Sequence, residues 1–425
     1  VTTEQSDATE PKILASGRVA FQHKDYTYYW LSRTLGVFAV DLMIATLSWQ
    51  LWILTKSPIV LGLIGGLSVA PFLLLFPISG MAADRFERKR ILTFCGILQS
   101  LCAFAFLYLT VTGNVDEYRM LAIVVVLGLS RTFLAPAQQS IVPVLVPKEH
   151  FANAVAWTST GFQAARIAGP GLSGFLIAFS GEQLAYTVVL IALIISTIFT
   201  LFIRGNTRVV ARDPLNFETV FAGLRFIRHH QVVLGAIALD LFAVLLGGAV
   251  ALLPAVATEL LDVGPEGYGV LRTAHMVGAM CGAIYFTQRP IRRHAGKKMF
   301  IGVGVFGLGI VALGLASTFW MAIAALLVLG AGDAVSVFVR GNLIQIITPD
   351  NMRGRVASVN SVFISASNEL GELESGLTMA LFGLVPAIIL GGAGTIIVAI
   401  AFARVFPQLW GVDSLDPDDL VRKYQ

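Results

Sequence analysis

The chain is short of charge. Of its 425 residues only 13% are Asp, Glu, Lys or Arg, against 56% hydrophobic. Ordinary soluble domains carry roughly 25% charged residues, so the deficit excludes a fold held in water. Cysteine is scarce as well. Cys95, Cys102 and Cys281 all lie in apolar stretches, with no spacing that suits a metal and no even set for a disulfide framework. They read as small core hydrophobes. No nucleophile, base and orienter occur as a set, and no glycine loop is built to cradle a phosphate. The chain therefore reads as a non-enzyme that needs neither metal nor cofactor. A net charge of +4 does not point to nucleic acid, because the basic residues sit in short loops beside apolar segments, where they set membrane topology.

What is abundant is uncharged length. Ser57 to Ala83, Ile91 to Val115, Gln183 to Ile203 and Leu241 to Thr258 hold no Asp, Glu, Lys or Arg. Met299 to Gly332 and Ser375 to Ala403 are longer, and each reads as more than one helix. A helix needs roughly 20 apolar residues to cross hydrocarbon. The pattern predicts an all-α membrane protein with twelve helices, at 26–54, 58–82, 91–113, 119–142, 153–178, 185–204, 232–258, 267–289, 299–316, 319–346, 354–381 and 385–406. Residues 1–24 lack the layout of a cleaved signal peptide, so the first helix is expected to serve as its own targeting signal.

Loop charge orients the helices. One set of loops carries Arg85, Arg88, Lys89, Arg90, Lys148, Arg204, Arg208, Arg212, Arg225, Arg228, Arg289, Arg292, Arg293, Lys297, Lys298, Arg353 and Arg355; the opposite set carries Lys56, Asp116, Glu117, Arg119, Glu182, Glu259, Asp262 and Glu266. The positive-inside rule puts the first set, and both termini, in the cytoplasm. The expected organisation is a cytoplasmic segment 1–25, a six-helix bundle 26–204, a cytoplasmic loop 205–231, a second six-helix bundle 232–406 and a cytoplasmic tail 407–425. In the central loop Phe217, Val220, Phe221, Leu224 and Ile227 recur at helical spacing opposite Arg225 and Arg228. That is an amphipathic helix, lying either in the membrane interface or on the protein's own face. Aligning Pro147 with Pro349 also aligns Ser159 with Ser361. A parallel repeat of six helices is a transporter architecture.

After the second helix the sequence runs Gly80-Met-Ala-Ala-Asp84-Arg85-Phe-Glu-Arg88-Lys89-Arg90. It resembles the signature of the major facilitator superfamily, Gly-x-x-x-Asp-Arg-x-Gly-Arg-Lys/Arg, with Glu87 in place of the second Gly. Gly80 lets helices approach closely, and the basic residues suit an anionic leaflet. In the family this loop is a cytoplasmic gate. Helix 4 holds Arg131 in Ser-Arg131-Thr-Phe-Leu-Ala-Pro, similar to the family's helix 4 motif, whose Arg is linked with proton coupling. Helix 5 reads Ala-Arg166-Ile-Ala-Gly169-Pro170-Gly171-Leu-Ser-Gly174 and resembles the Gly-Pro motif of drug antiporters, a hinge in which small residues permit tight contact and Pro170 frees a carbonyl. Ala165 stands where that motif prefers Gly. With Thr-Pro-x-x-x-Arg353-Gly354-Arg355 before helix 11, the layout looks most like the branch of enterobactin exporters and macrolide-efflux-type proteins.

Ionisable groups inside membrane helices are expensive, so each is a functional candidate. On helix 11, Ser361, Ser365, Asn368, Glu372 and Ser375 form one polar stripe bordered by Glu369. Glu374 points nearly the opposite way, as a brace to a neighbouring helix. Glu372 and then Glu369 are the leading protonatable groups. Helices 1, 4, 7 and 10 line the central cavity in the superfamily, which implies that Arg33, Asp41, Arg131, Asp240 and Asp333 share it. These charges either exchange a proton for an Arg partner as access alternates or brace helices statically. Arg340, on the same face as Asp333, is expected at the cytoplasmic mouth. His275, one turn from Arg272, is either a proton relay or a packed histidine near the outer end. Trp30, Trp49, Trp52, Trp320 and Trp410 fit an aromatic belt.

The resemblance implies a monomeric secondary transporter of a bacterial inner membrane. It would export an amphiphilic small molecule, siderophore-like or drug-like, in exchange for protons, with the bilayer as its only other partner. Lysophospholipid movement by the same fold, and a transport-inactive sensor signalling through 205–231 or the tail, are the alternatives.

Overall fold

The computed structural model describes residues 17–205, 207, 217–289, 291, 293–350 and 352–424. Residues 1–16 and the loop cations Arg208, Arg212 and Arg292 lie outside the described residues. So do the side chains of Asp84, Phe217, Val220 and Phe221.

In a bilayer the backbone must satisfy its own hydrogen bonds, which leaves helices as the only choice for these segments. The first bundle comprises α1 (Lys24–Thr55), α2 (Pro58–Arg85), α3 (Arg88–Val111) and α4 (Glu117–Leu145). A helical run Phe151–Phe202 then breaks at Ser180 and Gly181 into α5 (151–179) and α6 (182–202). The second bundle begins with α7 (Gln231–Leu260), which loosens at Gly247–Gly248 and ends in a wide π turn. It continues with α8 (Pro265–Gln288), α9 (Ala295–Gly314), α10 (Phe319–Ile347), α11 (Arg353–Phe382) and α12 (Leu384–Val405). Gly181 at φ +73° and Gly383 at φ +86° permit two of the tight reversals. The Asp116 carboxylate accepts from Arg119 N (3.2 Å) and the Thr318 hydroxyl from Met321 N (3.3 Å), each capping a helix start.

Among the described residues nine helical stretches are long and apolar enough to span a membrane, and one of these is the α5–α6 run. The remaining two spans, α8 and α11, are more polar at mid-length: Arg272 and His275 lie in one, Glu369, Glu372 and Glu374 in the other. The protein is thus an all-α, multi-pass membrane protein of twelve helices in two six-helix bundles.

Packing differs between the two ends of the molecule. The end bearing both termini is called here the near end, the opposite one the far end. One apolar core fills the far half and draws on both bundles, joining Leu47, Trp52 and Leu61 to Leu252, Tyr268 and Leu313. In the near half it divides. One core belongs to the first bundle, around Tyr26, Ile141 and Ile203; another belongs to the second, around Ile237, Met299 and Leu343. The bundles are fused at the far end and parted at the near end.

Glycines make the fusion possible. The second helix of each bundle crosses the fifth helix of the other, α2 on α11 and α5 on α8. A methyl group on Gly376 would lie 2.8 Å from Gly62 Cα, and one on Gly269 would lie 3.0 Å from Gly174 Cα. Backbones this close gain dispersion along their length, the main cohesive force between helices in lipid. Trp52 Nε1 donates to Thr258 Oγ1 (2.8 Å), Tyr268 OH donates to Ala45 O (3.1 Å), and Trp49 stacks on Tyr268. Trp49 and Trp52 therefore seal the two bundles together; they are not part of a lipid-facing belt, which Trp320 (76% exposed) suits better.

One near-end expectation changes. Arg88 is buried; its Nε donates to Ser140 Oγ (3.1 Å) and an Nη to Thr207 O (3.2 Å). Lys89 Nζ donates to Leu201 O (3.0 Å) and Ile203 O (2.6 Å), the unpaired carbonyls at the end of α6. Both cations tie α3 to its own bundle instead of lying at the leaflet; Arg85 remains exposed. The helix Phe217–His229 packs on α11, with Gly223 against Arg355 O and Ile227 buried, while Arg225 and Arg228 face out. The tail packs on the second bundle. Leu409, Val412 and Leu420 are buried, and Asp413 O and Val412 O accept from the first free N–H groups of α9, Ala295 N (3.0 Å) and Gly296 N (2.9 Å).

Candidate functional site

Between the parted bundles lies a cavity of about 490 Å³ at mid-membrane. It is lined from both sides. The first bundle contributes Arg33 and Asp41 (α1), Arg131 (α4) and Arg166 (α5); the second contributes Arg272 and His275 (α8), Asp333 (α10), and Asn368, Glu369 and Glu372 (α11). These side chains point inward because each helix turns its apolar face to lipid and to its own bundle core, leaving one stripe per helix for the water-accessible crevice.

One ion pair spans the crevice. Arg131 Nη1 lies 3.1 Å from Glu369 Oε1, linking α4 of the first bundle to α11 of the second, with side chains 42% and 16% exposed. A looser pair, Arg166 Nε to Asp41 Oδ2 at 3.8 Å, stays within the first bundle. Glu372, one turn beyond Glu369, has no ion pair among the described residues. Its carboxylate rests in a notch made by Gly65 of α2, where a Cβ would come within 2.6 Å of Glu372 Oε2 and 2.7 Å of Glu369 O. Arg272 donates to Tyr268 OH (2.9 Å), which belongs to the far-end seal.

Several sequence-derived positions fall elsewhere. Asp240 does not line the cavity. It pairs with Arg340 at 2.6 Å inside the near-half core of the second bundle, both side chains only 5–6% exposed. Arg340 consequently braces α10 to α7 and does not mark a mouth. The reason is rotational: Asp240 sits on the inner side of α7, but that side meets α10 before it meets the crevice. Glu374 accepts from Thr378 Oγ1 (2.6 Å) and Ser375 Oγ (3.5 Å) on its own helix and has no ion pair to another helix among the described residues. His275 lies at mid-span, with both ring nitrogens buried and without hydrogen-bond partners among the described residues. Gly169 lets α5 settle against Phe38 O of α1, and Gly174 serves the crossing with α8; Ser173 Oγ donates to Pro170 O (2.7 Å). Gly80 is buried; the Asp84 side chain lies outside the described residues.

Two lining groups were not singled out from sequence. Arg272 was seen only as a neighbour of His275. Phe162 gave no signal at all, since one aromatic on an apolar helix is unremarkable in composition. Its ring lies 5.7 Å from the Arg33 guanidinium and 5.6 Å from that of Arg166.

Two six-helix bundles crossed through α2–α11 and α5–α8 around a charged midplane crevice define a transporter of the major facilitator superfamily, a class that moves solutes and is not enzymatic. Residues 15–421 match the transmembrane secretion effector family, and the chain belongs to it. It is similar to the enterobactin exporter EntS of Salmonella typhi, 27% identical over 396 residues that cover 91% of this chain and 93% of the relative. EntS of Citrobacter koseri is 24% identical over 388 residues, covering 90% and 88%. Among solved structures the fold matches the nucleoside transporter NupG, with TM-score 0.71 and 12% identity over 90% of this chain and 100% of that one. It also matches a bacterial homologue of the human lysosomal transporter Spinster in an inward-facing, occupied conformation, with TM-score 0.69 and 16% identity over 91% and 96%.

Proposed function

We propose that the protein is a proton-coupled exporter of an amphiphilic small molecule, siderophore-like or drug-like, across the bacterial inner membrane. The exporters among its relatives support the direction. Loop charge supports placing both termini, and so the near end, in the cytoplasm. The parted near end then makes this the conformation that loads substrate from inside.

The observation that carries the reading is the Arg131–Glu369 bridge across the crevice. An empty carrier is held by it. A substrate acid that takes Arg131, or a proton that neutralises the carboxylate side, removes the attraction between α4 and α11 and frees the bundles to rock. Glu372 is the natural proton carrier, because it faces the same lumen without an ion pair. Charged, it holds an ammonium or hydroxyl donor of a substrate through a charge-assisted hydrogen bond; protonated, it loses the charge that makes that contact strong. Proton and substrate thus compete for one carboxylate, and a carrier that rocks only when occupied exchanges one for the other. Monomeric action needs no more than this one crevice.

In proteoliposomes Glu372→Gln should abolish substrate efflux driven by a pH gradient while leaving substrate–substrate counterflow intact. Gradient-driven efflux that survives in this variant would remove Glu372 from the coupling step.

A further inference from the structure

The far-end seal is joined to the crevice by a chain of hydrogen bonds. Arg272 and Tyr268 lie one turn apart on α8, and Asp41, Ala45 and Trp49 recur one turn apart on α1 of the other bundle. The two series meet. Trp49 stacks on Tyr268 with ring centroids 5.4 Å apart, and Tyr268 OH donates to Ala45 O (3.1 Å). Tyr268 is fully buried. Its hydroxyl has one proton to give. Arg272 Nη1 donates to the same oxygen at 2.9 Å, which directs that proton to α1. Bonds in such a chain polarise one another, so a fixed guanidinium strengthens the link between the bundles.

What fixes the guanidinium is charge. Arg272 lines the cavity and has no ion pair among the described residues. It sits in the field of two carboxylates, Glu372 of its own bundle and Asp41 of the other. The charged groups facing Glu372 are Arg272 on α8, Arg131 on α4 and Glu369 on its own helix. The helices α2 and α7 bring only glycines there, Gly65 and Gly248. Arg131 is already engaged by Glu369, which leaves Arg272 as the cation that answers to Glu372. When that carboxylate is neutral, Asp41 attracts Arg272 unopposed. Asp41 lies one turn from Ala45 toward the near end, so the pull is away from the seal, and the Tyr268 bond loses its support.

We infer that Arg272 and Tyr268 are positioning residues that form a lever between Glu372 and the far end: with Glu372 ionised they hold α8 on α1, and with Glu372 neutral they release it. The inference rests on the exporter reading for what neutralises Glu372, a proton, but not for the path by which the seal responds. It assigns the two ion-pair systems of the lumen different tasks. Arg131–Glu369 ties the bundles across the crevice, and Arg272 reports the charge of the neighbouring carboxylate to the closed end.

The test is a double-mutant cycle on the purified full chain at one alkaline pH, without gradient or substrate. Spin labels on Asn114→Cys and Ser317→Cys, exposed far-end positions of the first and second bundle, report the far-end-open fraction, with Cys281→Ser as background. Glu372→Gln, a permanently neutral side chain, should raise that fraction about fivefold, the equilibrium effect of one net hydrogen bond. Tyr268→Phe keeps the ring on Trp49 and removes the hydroxyl. It should raise the fraction about as much, and adding Glu372→Gln to it should change nothing further. Arg272→Gln should behave like Tyr268→Phe, whereas Arg272→Lys, which keeps a charge and a donor, should restore the response to Glu372→Gln. Trp52→Phe weakens the same seal off the lever, so its effect should multiply with that of Glu372→Gln. Should Tyr268→Phe fail to purify, the two Arg272 variants complete the cycle. An open fraction unmoved by Glu372→Gln, or effects of Glu372→Gln and Tyr268→Phe that multiply, overturns the lever. Loss of pH-driven efflux in Glu372→Gln beside multiplying effects sinks the lever alone; efflux that survives in Glu372→Gln beside non-additive effects sinks the coupling alone.

Discussion

Arg131–Glu369 and Arg340–Asp240 are the same chemistry in two settings. The first joins the two bundles across a wet crevice, at 3.1 Å and with the guanidinium side chain 42% exposed. The second joins two helices of one bundle in a dry core, at 2.6 Å and 5–6% exposed. Water is the difference that matters. In the crevice, either partner can be lost to a proton, a substrate or solvent at modest cost. In the core, losing one partner strands the other in a low dielectric. The lumen pair is therefore suited to making and breaking within each cycle, and the core pair to holding α7 against α10 throughout.

The contrast is sharpest in stability. Asp240→Asn leaves the Arg340 charge buried alone, for which about 3–5 kcal/mol is the usual loss. Thermal unfolding of the purified variant should shift down accordingly, and replacing the pair by Asp240→Leu with Arg340→Met should recover most of it. An Asp240→Asn protein that melts like the wild type would mean the core pair is hydrated after all.

Glu369→Gln is the matched change in the crevice. Its unfolding should move by less than about 1 kcal/mol, as for other solvent-reached pairs. Substrate accumulation driven by a pH gradient should nevertheless fall by about tenfold or more, the equivalent of one charge-assisted contact. A variant that is unstable but fully coupled would invert the comparison.

The smallest effect belongs to the far-end seal. Trp52→Phe keeps the ring and removes the hydrogen bond to Thr258, worth about 1 kcal/mol. It should shift the resting population by several-fold toward the conformation open at the far end, read as faster thiol labelling of a Cys introduced at Val256, which is buried in the core shared by the two bundles. Unchanged labelling would show that the glycine crossings alone close that end.

How far the sequence reached follows from what helical periodicity encodes. Uncharged runs between charged loops placed all twelve helices, and every predicted boundary lies within four residues of the structure. The Gly80–Arg90 motif gave the superfamily. Periodicity also gave the stripe of Ser365, Asn368, Glu369 and Glu372, since it fixes angles around a single axis. It does not say which neighbour that axis turns toward. Hence Asp333 and Asp240 looked equivalent, although one faces the crevice and the other faces Arg340. Trp49 and Trp52 looked like lipid anchors because position near a helix end is all the sequence shows; contact with Tyr268 and Thr258 comes from the crossing of two bundles. Tail residues Leu409, Val412 and Leu420 are too few and too spaced to announce a docked segment.

Distances between spin labels across each end of the molecule test the central claim most directly. With Cys281 replaced by Ser, one pair at Lys56 and Glu259 reports the far end, and another at Phe86 and Arg289 reports the near end. Acidification or substrate should lengthen the first and shorten the second together, and Glu369→Gln should show the acid distribution at neutral pH. Distances in Glu369→Gln that match the wild type at both pH values would contradict a crevice held by the Arg131–Glu369 bridge.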